Sequence, residues 1–175
     1  MQPLVPELLN FVQKADHGVA IKGVWPLDRM QRFTKVLLND NGQVEVDLRF
    51  GRHGKLRTVS GALSAELTVT CQRCLQAMPY LLQTQLNLAM IKDDAQAEAL
   101  PDEFEPLLLA DEEMNLPEVI EDELLLALPL VLVHEHDCSD FMQQQAQQQI
   151  QDAAKAAEQK VKNNPFAVLK DLPKE

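Results

Sequence analysis

Between Leu56 and Ile91 the side chains alternate. Val59, Gly61, Leu63, Ala65, Leu67, Val69 and Cys71 take the odd positions, while Thr58, Ser60, Ser64, Glu66, Thr68 and Thr70 take the even ones. A period of two specifies a long strand with one face buried. After Cys71-Gln72-Arg73-Cys74 the pattern resumes, with Tyr80, Leu82, Leu86, Leu88 and Met90 opposed to Gln83, Gln85 and Asn87. The chain is therefore expected to contain a long antiparallel hairpin with its two cysteines at or near the tip.

At 175 residues the chain can build one domain with a real core and a tail. Its net charge of -11 argues against a protein that coats naked nucleic acid through counterion release. The charge is unevenly distributed: residues 1–76 hold 10 Lys or Arg against 7 Asp or Glu, residues 77–138 hold 1 against 15, and the rest hold 5 of each. Met1 to Val12 lacks the basic region of a secretory signal and is interrupted by Pro3, Pro6 and Glu7. No apolar run approaches the ~20 residues of a membrane span. Three cysteines, an odd number, do not make a disulfide framework, so a cytoplasmic protein with reduced thiols is expected.

Ahead of the hairpin, Val5, Leu8, Leu9 and Val12 at helical spacing predict a short opening helix, stopped by Asp16-His17-Gly18. Val19 to Trp25 alternate as a strand. Pro26 then suits the first turn of a second helix that turns Leu27, Met30, Phe33 and Leu37 inward and Arg29, Arg32 and Lys35 outward. Asn39-Asp40-Asn41-Gly42 is a turn signal, and Val44, Val46, Leu48 and Phe50 alternate after it.

Beyond the hairpin, residues 92–105 read as an exposed acidic loop, and Phe104 to Leu109 as a short edge strand interrupted by Pro106. Asn115-Leu116-Pro117-Glu118 has the cap residue, early proline and following Glu that start a helix, with Leu116, Val119, Ile120, Leu124 and Ala127 inside and Glu118, Glu121 and Asp122 outside. Leu130 to Val133 is expected to be a buried strand. The Gln- and Ala-rich stretch 139–162 favours a projecting helix, and Pro165, Phe166, Val168 and Leu169 form an apolar hook suited to a partner. The expected organisation is one α+β domain over residues 1–138, mainly antiparallel sheet with packed helices, followed by a helical or partly disordered tail over 139–175.

Two clusters have chemical potential. Arg52, His53, Lys55 and Arg57 crowd a glycine-flanked turn, and with Arg73 they are candidates to meet RNA phosphates without reading sequence. The same charges would also keep an exposed strand edge from aggregating. Cys71 and Cys74 have the spacing by which two thiolates bind one Zn2+, and Cys138 with His134 or, as the preferred ligand, His136 completes four donors. Thiols merely packed in a turn are the competing reading. A redox CxxC belongs at a helix N-terminus, whereas strands flank this one. There is no glycine-rich phosphate loop, no G-x-S-x-G and no H-E-x-x-H, so no enzyme is supported.

Taken together, Cys71-Gln-Arg-Cys74 after a long strand, Glu98-Ala-Leu-Pro-Asp-Glu-Phe-Glu-Pro106, Val119-Ile-Glu-Asp-Glu-Leu-Leu-Leu-Ala-Leu-Pro129 and Asn164-Pro-Phe-Ala-Val-Leu169 resemble the bacterial YceD family of large ribosomal RNA subunit accumulation proteins. The resemblance spans roughly residues 20–138 and the hook. It implies a non-enzymatic role in synthesis, processing or stability of 23S rRNA, with large-subunit rRNA or a pre-ribosomal particle as partner. It establishes no catalytic residue. Many relatives carry a second set of cysteines after the Leu-Ala-Leu-Pro helix, where this chain keeps Cys138 and two histidines. The uneven charge suggests a bridge, its basic end on RNA and its acidic 93–123 segment on a basic ribosomal protein or processing factor. The rival readings are an acidic chaperone for basic ribosomal proteins and a zinc-dependent RNA-processing protein.

Overall fold

A computed structural model describes residues 3–109, 111–138 and 147–150. The hook at 165–169 and most of the expected 139–162 helix lie outside them; 147–150 is helical. The fold is α+β with a mostly antiparallel sheet. In chain order the elements are β1 (Leu8–Asn10), α1 (Phe11–His17), β2 (Ala20–Pro26), β3 (Gln43–His53), β4 (Leu56–Thr70), β5 (Ala77–Ile91), β6 (Glu105–Leu108), β7 (Glu113–Asn115) and α2 (Leu116–Ala127). Strands β2 to β6 form one sheet in sequence order, and β1 pairs with β7 in a second, two-stranded sheet.

The period-two pattern does what it predicts. Val44, Val46, Leu48 and Phe50 of β3, Val59, Leu63, Ala65, Leu67 and Val69 of β4, and Met78, Leu82, Leu86 and Leu88 of β5 are all buried. The registers Val46↔Leu63 and Ala65↔Leu82 place these side chains side by side on one face. Phe11 from α1 meets Phe50 edge to face at 5.2 Å between ring centroids, and α2 covers the β5 side with Leu116, Ile120 and Leu124. A glycine is required at 61, because a Cβ there would lie 2.1 Å from the Asp47 carbonyl oxygen.

Four local expectations are corrected. The opening helix begins only at Phe11, where Asn10 accepts a 2.7 Å hydrogen bond from the Gln13 amide; Leu8–Asn10 is instead held extended by β7. Residues 27–37 form two 3-10 turns, Leu27–Arg29 and Phe33–Val36, although Leu27, Met30 and Phe33 do face the core. The acidic 92–105 stretch contains a 3-10 helix, Asp94–Ala99, capped by the Asp93 side chain. Leu130 to Val133 joins no ladder: Leu130 is 95 % exposed, Leu132 alone is buried, and the Leu130 and Leu132 carbonyls accept from Gln72. The sheet also holds an unpredicted parallel pair, β5 with β6, at the edge.

The interruption of the second helix has a physical cause in Glu121. Expected on the solvent side of α2, this residue is buried, and its carboxylate accepts from the backbone amides of Arg32 at 2.7 Å and Phe33 at 2.8 Å and from Arg32 Nε at 3.2 Å. Two amides that would have donated into a helix ladder are satisfied by a buried anion instead. Glu121→Ala should therefore cost about 2–4 kcal/mol in urea unfolding, because a buried amide loses a charged acceptor, while Glu121→Gln, which keeps one acceptor, should cost about half as much.

Candidate functional site at the two ends of the hairpin

The 15-residue strand β4 separates the two sequence-predicted clusters by roughly 45 Å at about 3.3 Å per residue. Arg52, His53, Lys55 and Arg57 surround the two-residue β3–β4 turn, where Gly54 takes φ +60° and His53 faces Leu56. Arg73 lies beyond the opposite end of β4, between the cysteines, and so does not belong to that group.

Acidic groups interleave with the cations at the turn. Asp16, in the last turn of α1, receives Arg57 as a fork, Nε to Oδ1 at 2.8 Å and Nη2 to Oδ2 at 3.0 Å, and its Oδ1 also lies 3.3 Å from Arg52 Nε. His53 Nε2 is 3.8 Å from a Glu103 carboxylate oxygen, and its ring packs against Phe104 at 5.3 Å. The expected separation of basic and acidic ends is thus not what this turn shows: the chain folds carboxylates from both flanking segments onto it. The hydrogen bond from Arg57, joined by the charges of Arg57, Arg52 and His17, holds the Asp16 carboxyl below the usual carboxylate range, against a smaller opposing effect of desolvation.

At the other end the chain forms a tight knuckle. Cys71 is buried; its amide donates to the Gln76 carbonyl, its carbonyl accepts from Leu75, and its Sγ accepts from the Arg73 amide at 3.4 Å. Leu75 takes φ +61°, a left-handed conformation that costs a residue with a side chain about 1–2 kcal/mol. The Gln72 amide donates to the Leu132 carbonyl, which fixes the chain after α2 against the knuckle as far as Val133. Cys71, Cys74, His134 and Cys138 form a group that could hold a metal ion, with one ligand atom from each and all four within 4.8 Å of one another. His136, the sequence-preferred histidine, stacks its ring on His134 at 4.9 Å.

In a tetrahedral zinc site with bonds of about 2.0–2.3 Å the donor atoms stand roughly 3.3–3.8 Å apart, so small adjustments would close this set. Three thiols and one imidazole are a donor set matched to zinc, and the Arg73 amide, which donates to Cys71 Sγ, would support that sulfur as a metal-bound thiolate. Sequence reasoning missed Asp16 and Glu103, which carry no local signal because their partners lie far along the chain.

The family model described as "Large ribosomal RNA subunit accumulation protein YceD" matches residues 59–173. The chain belongs to the YceD family. A curated YceD protein of that same description, from Haemophilus influenzae, is 28% identical over 175 aligned residues, covering 96% of this chain and 95% of its own length. No solved structure matches significantly. The YceD match begins within β4 and takes in the cysteine knuckle, β5, β6, β7 and α2, whereas the cationic turn lies ahead of it. No helix among the described residues is long and apolar enough to cross a membrane.

Because the folded Asp16 carboxyl is depressed, its pairing contributes stability above the unfolded value and loses it as pH falls through the folded value. A carbon-detected NMR titration should find the Asp16 midpoint below the ordinary ~3.9, and Arg57→Gln should move it back up.

Proposed function

We propose that this chain is a non-enzymatic, cytoplasmic ribosome biogenesis factor that supports the synthesis, processing or stability of 23S rRNA by binding. The observation that carries this reading is the family match over residues 59–173, together with the likeness to a relative named for large ribosomal RNA subunit accumulation. The large-subunit rRNA or a pre-ribosomal particle is the partner.

Arg52, Lys55 and Arg57, with His53 beside them, are the contact to phosphate. They cluster on one tight turn at the end of a rigid hairpin, and a turn of that kind places a small cationic footprint without reading bases. The remaining surface, on a chain of net charge -11, repels RNA and so limits contact to that footprint. A second reading, an acidic chaperone for a basic ribosomal protein, draws support from the carboxylates of Asp16 and Glu103 that already meet these cations. The hook Pro165, Phe166, Val168 and Leu169 is assigned to an assembly partner, and Arg73, at the other end of β4, to a separate contact with RNA phosphate.

Zinc belongs to this reading as a structural ion. Bound by Cys71, Cys74, His134 and Cys138, it would fasten the hairpin tip to the chain after α2, supplying folding energy rather than chemistry.

Two outcomes are expected. In cells lacking the native copy, the triple variant Arg52→Glu, Lys55→Glu, Arg57→Glu should fail to restore 23S rRNA level relative to 16S; full restoration would favour the chaperone. Purified protein should carry one zinc by elemental analysis, lost in Cys71→Ser, Cys138→Ser and His134→Ala and kept in His136→Ala.

A further inference from the structure

The carboxylate of Asp16 stands in an unusual position for what it does locally. It occupies the last turn of α1, where the helix dipole places partial negative charge and disfavours an acid. Its partners are two guanidiniums from the strands on either side of the β3–β4 turn, Arg52 and Arg57, which face each other directly across the ladder. Like charges directly opposite in a sheet repel, so the pair needs a shared anion. One carboxylate supplies two oxygens to two guanidiniums, while Glu112, whose charge also acts on Arg57, and Glu103, beside His53, bring further anions to the same turn.

A phosphodiester offers the same two-oxygen acceptor geometry to an arginine fork, and it carries its charge at a density along RNA that no single side chain matches. The groups concerned are accessible: Arg52 is exposed, and Arg57 and Asp16 retain 31% and 35% of their side-chain surface. We infer that Asp16 is an internal stand-in for an RNA phosphate, holding Arg52 and Arg57 in receiving geometry and yielding them to the backbone of RNA. This rests on the RNA-binding reading given above and adds to it a built-in competitor. The carboxylate sets a threshold: scattered or isolated phosphates do not displace it, and a backbone presenting several phosphates at once does. A chain of this net charge thereby keeps one guarded anion site.

The test is fluorescence anisotropy of the full chain with a fluorescein-labelled RNA stem-loop at about 50 and about 200 mM KCl. Asp16→Asn should tighten binding roughly three- to tenfold at the lower salt, Asp16→Ser should do the same, and thermal melts should show both variants folded. Binding unchanged or weakened in both folded Asp16 variants, while Arg52→Gln with Arg57→Gln weakens it, would overturn the stand-in and spare the RNA-binding reading. If the arginine variants bind RNA as the parent does, both fall. Inorganic phosphate competing with the stem-loop at equal phosphorus concentration would also overturn the inference, since it would mark an isolated anion pocket instead of a backbone-reading surface.

Discussion

Everything in the body of this protein hangs on one-sided burial along β3, β4 and β5. In each strand every second side chain enters the core, and the registers align those side chains across the three strands. A slip by one residue would drive Ser60, Ser64 and Glu66 inward and expose Leu63 and Leu67, so the pairing has little freedom. Close contact enforces it too, since the backbone of β3 passes Gly61 at a distance no side chain would permit. With register fixed, the two turns that end the hairpin are fixed as well, and α1 and α2 serve as covers. The cationic turn and the cysteine knuckle lie at opposite ends of the same long strand, β4.

How far this was legible in the sequence depends on where each cause resides. Strands β2 to β5 were readable because a period of two is a local property. The α2 cap was readable because Asn115, Pro117 and Glu118 are neighbours. The broken helix at 27–37 was not, since the carboxylate that takes its amides comes from Glu121, 89 residues beyond Arg32. Leu8–Asn10 has a helical pattern and becomes a strand because β7 offers it a ladder. Tertiary pairing outweighs a preference worth only tenths of a kcal/mol per residue.

The candidate sites divide along the same line. CxxC spacing is local, and it pointed to thiols that could meet a metal. The choice between His134 and His136 was not open to sequence, because residues two apart in an extended chain point the same way. Charge was the least legible property. Basic and acidic segments separated along the chain were expected to be separated in space, yet His53 lies beside Glu103 of the acidic segment, and the carboxylate that Arg57 meets, Asp16, comes from the basic-leaning half itself. A segmental sum describes covalent order, whereas a field depends on folded distance.

The small sheet of β1 and β7 carries a consequence for the order of assembly. Leu8 is paired with Asn115, so an early strand is fastened by one from much later in the chain. During synthesis at about 5–20 residues per second, β1 must wait on the order of ten seconds for its partner strand to be made, while the meander of β2 to β5 can already zip between neighbours. The closing step then carries the entropy of shutting a long loop, which grows only logarithmically with length. An early strand is thus pinned by a late one, while Pro3 to Val5, just ahead of it, is held by the neighbouring β2.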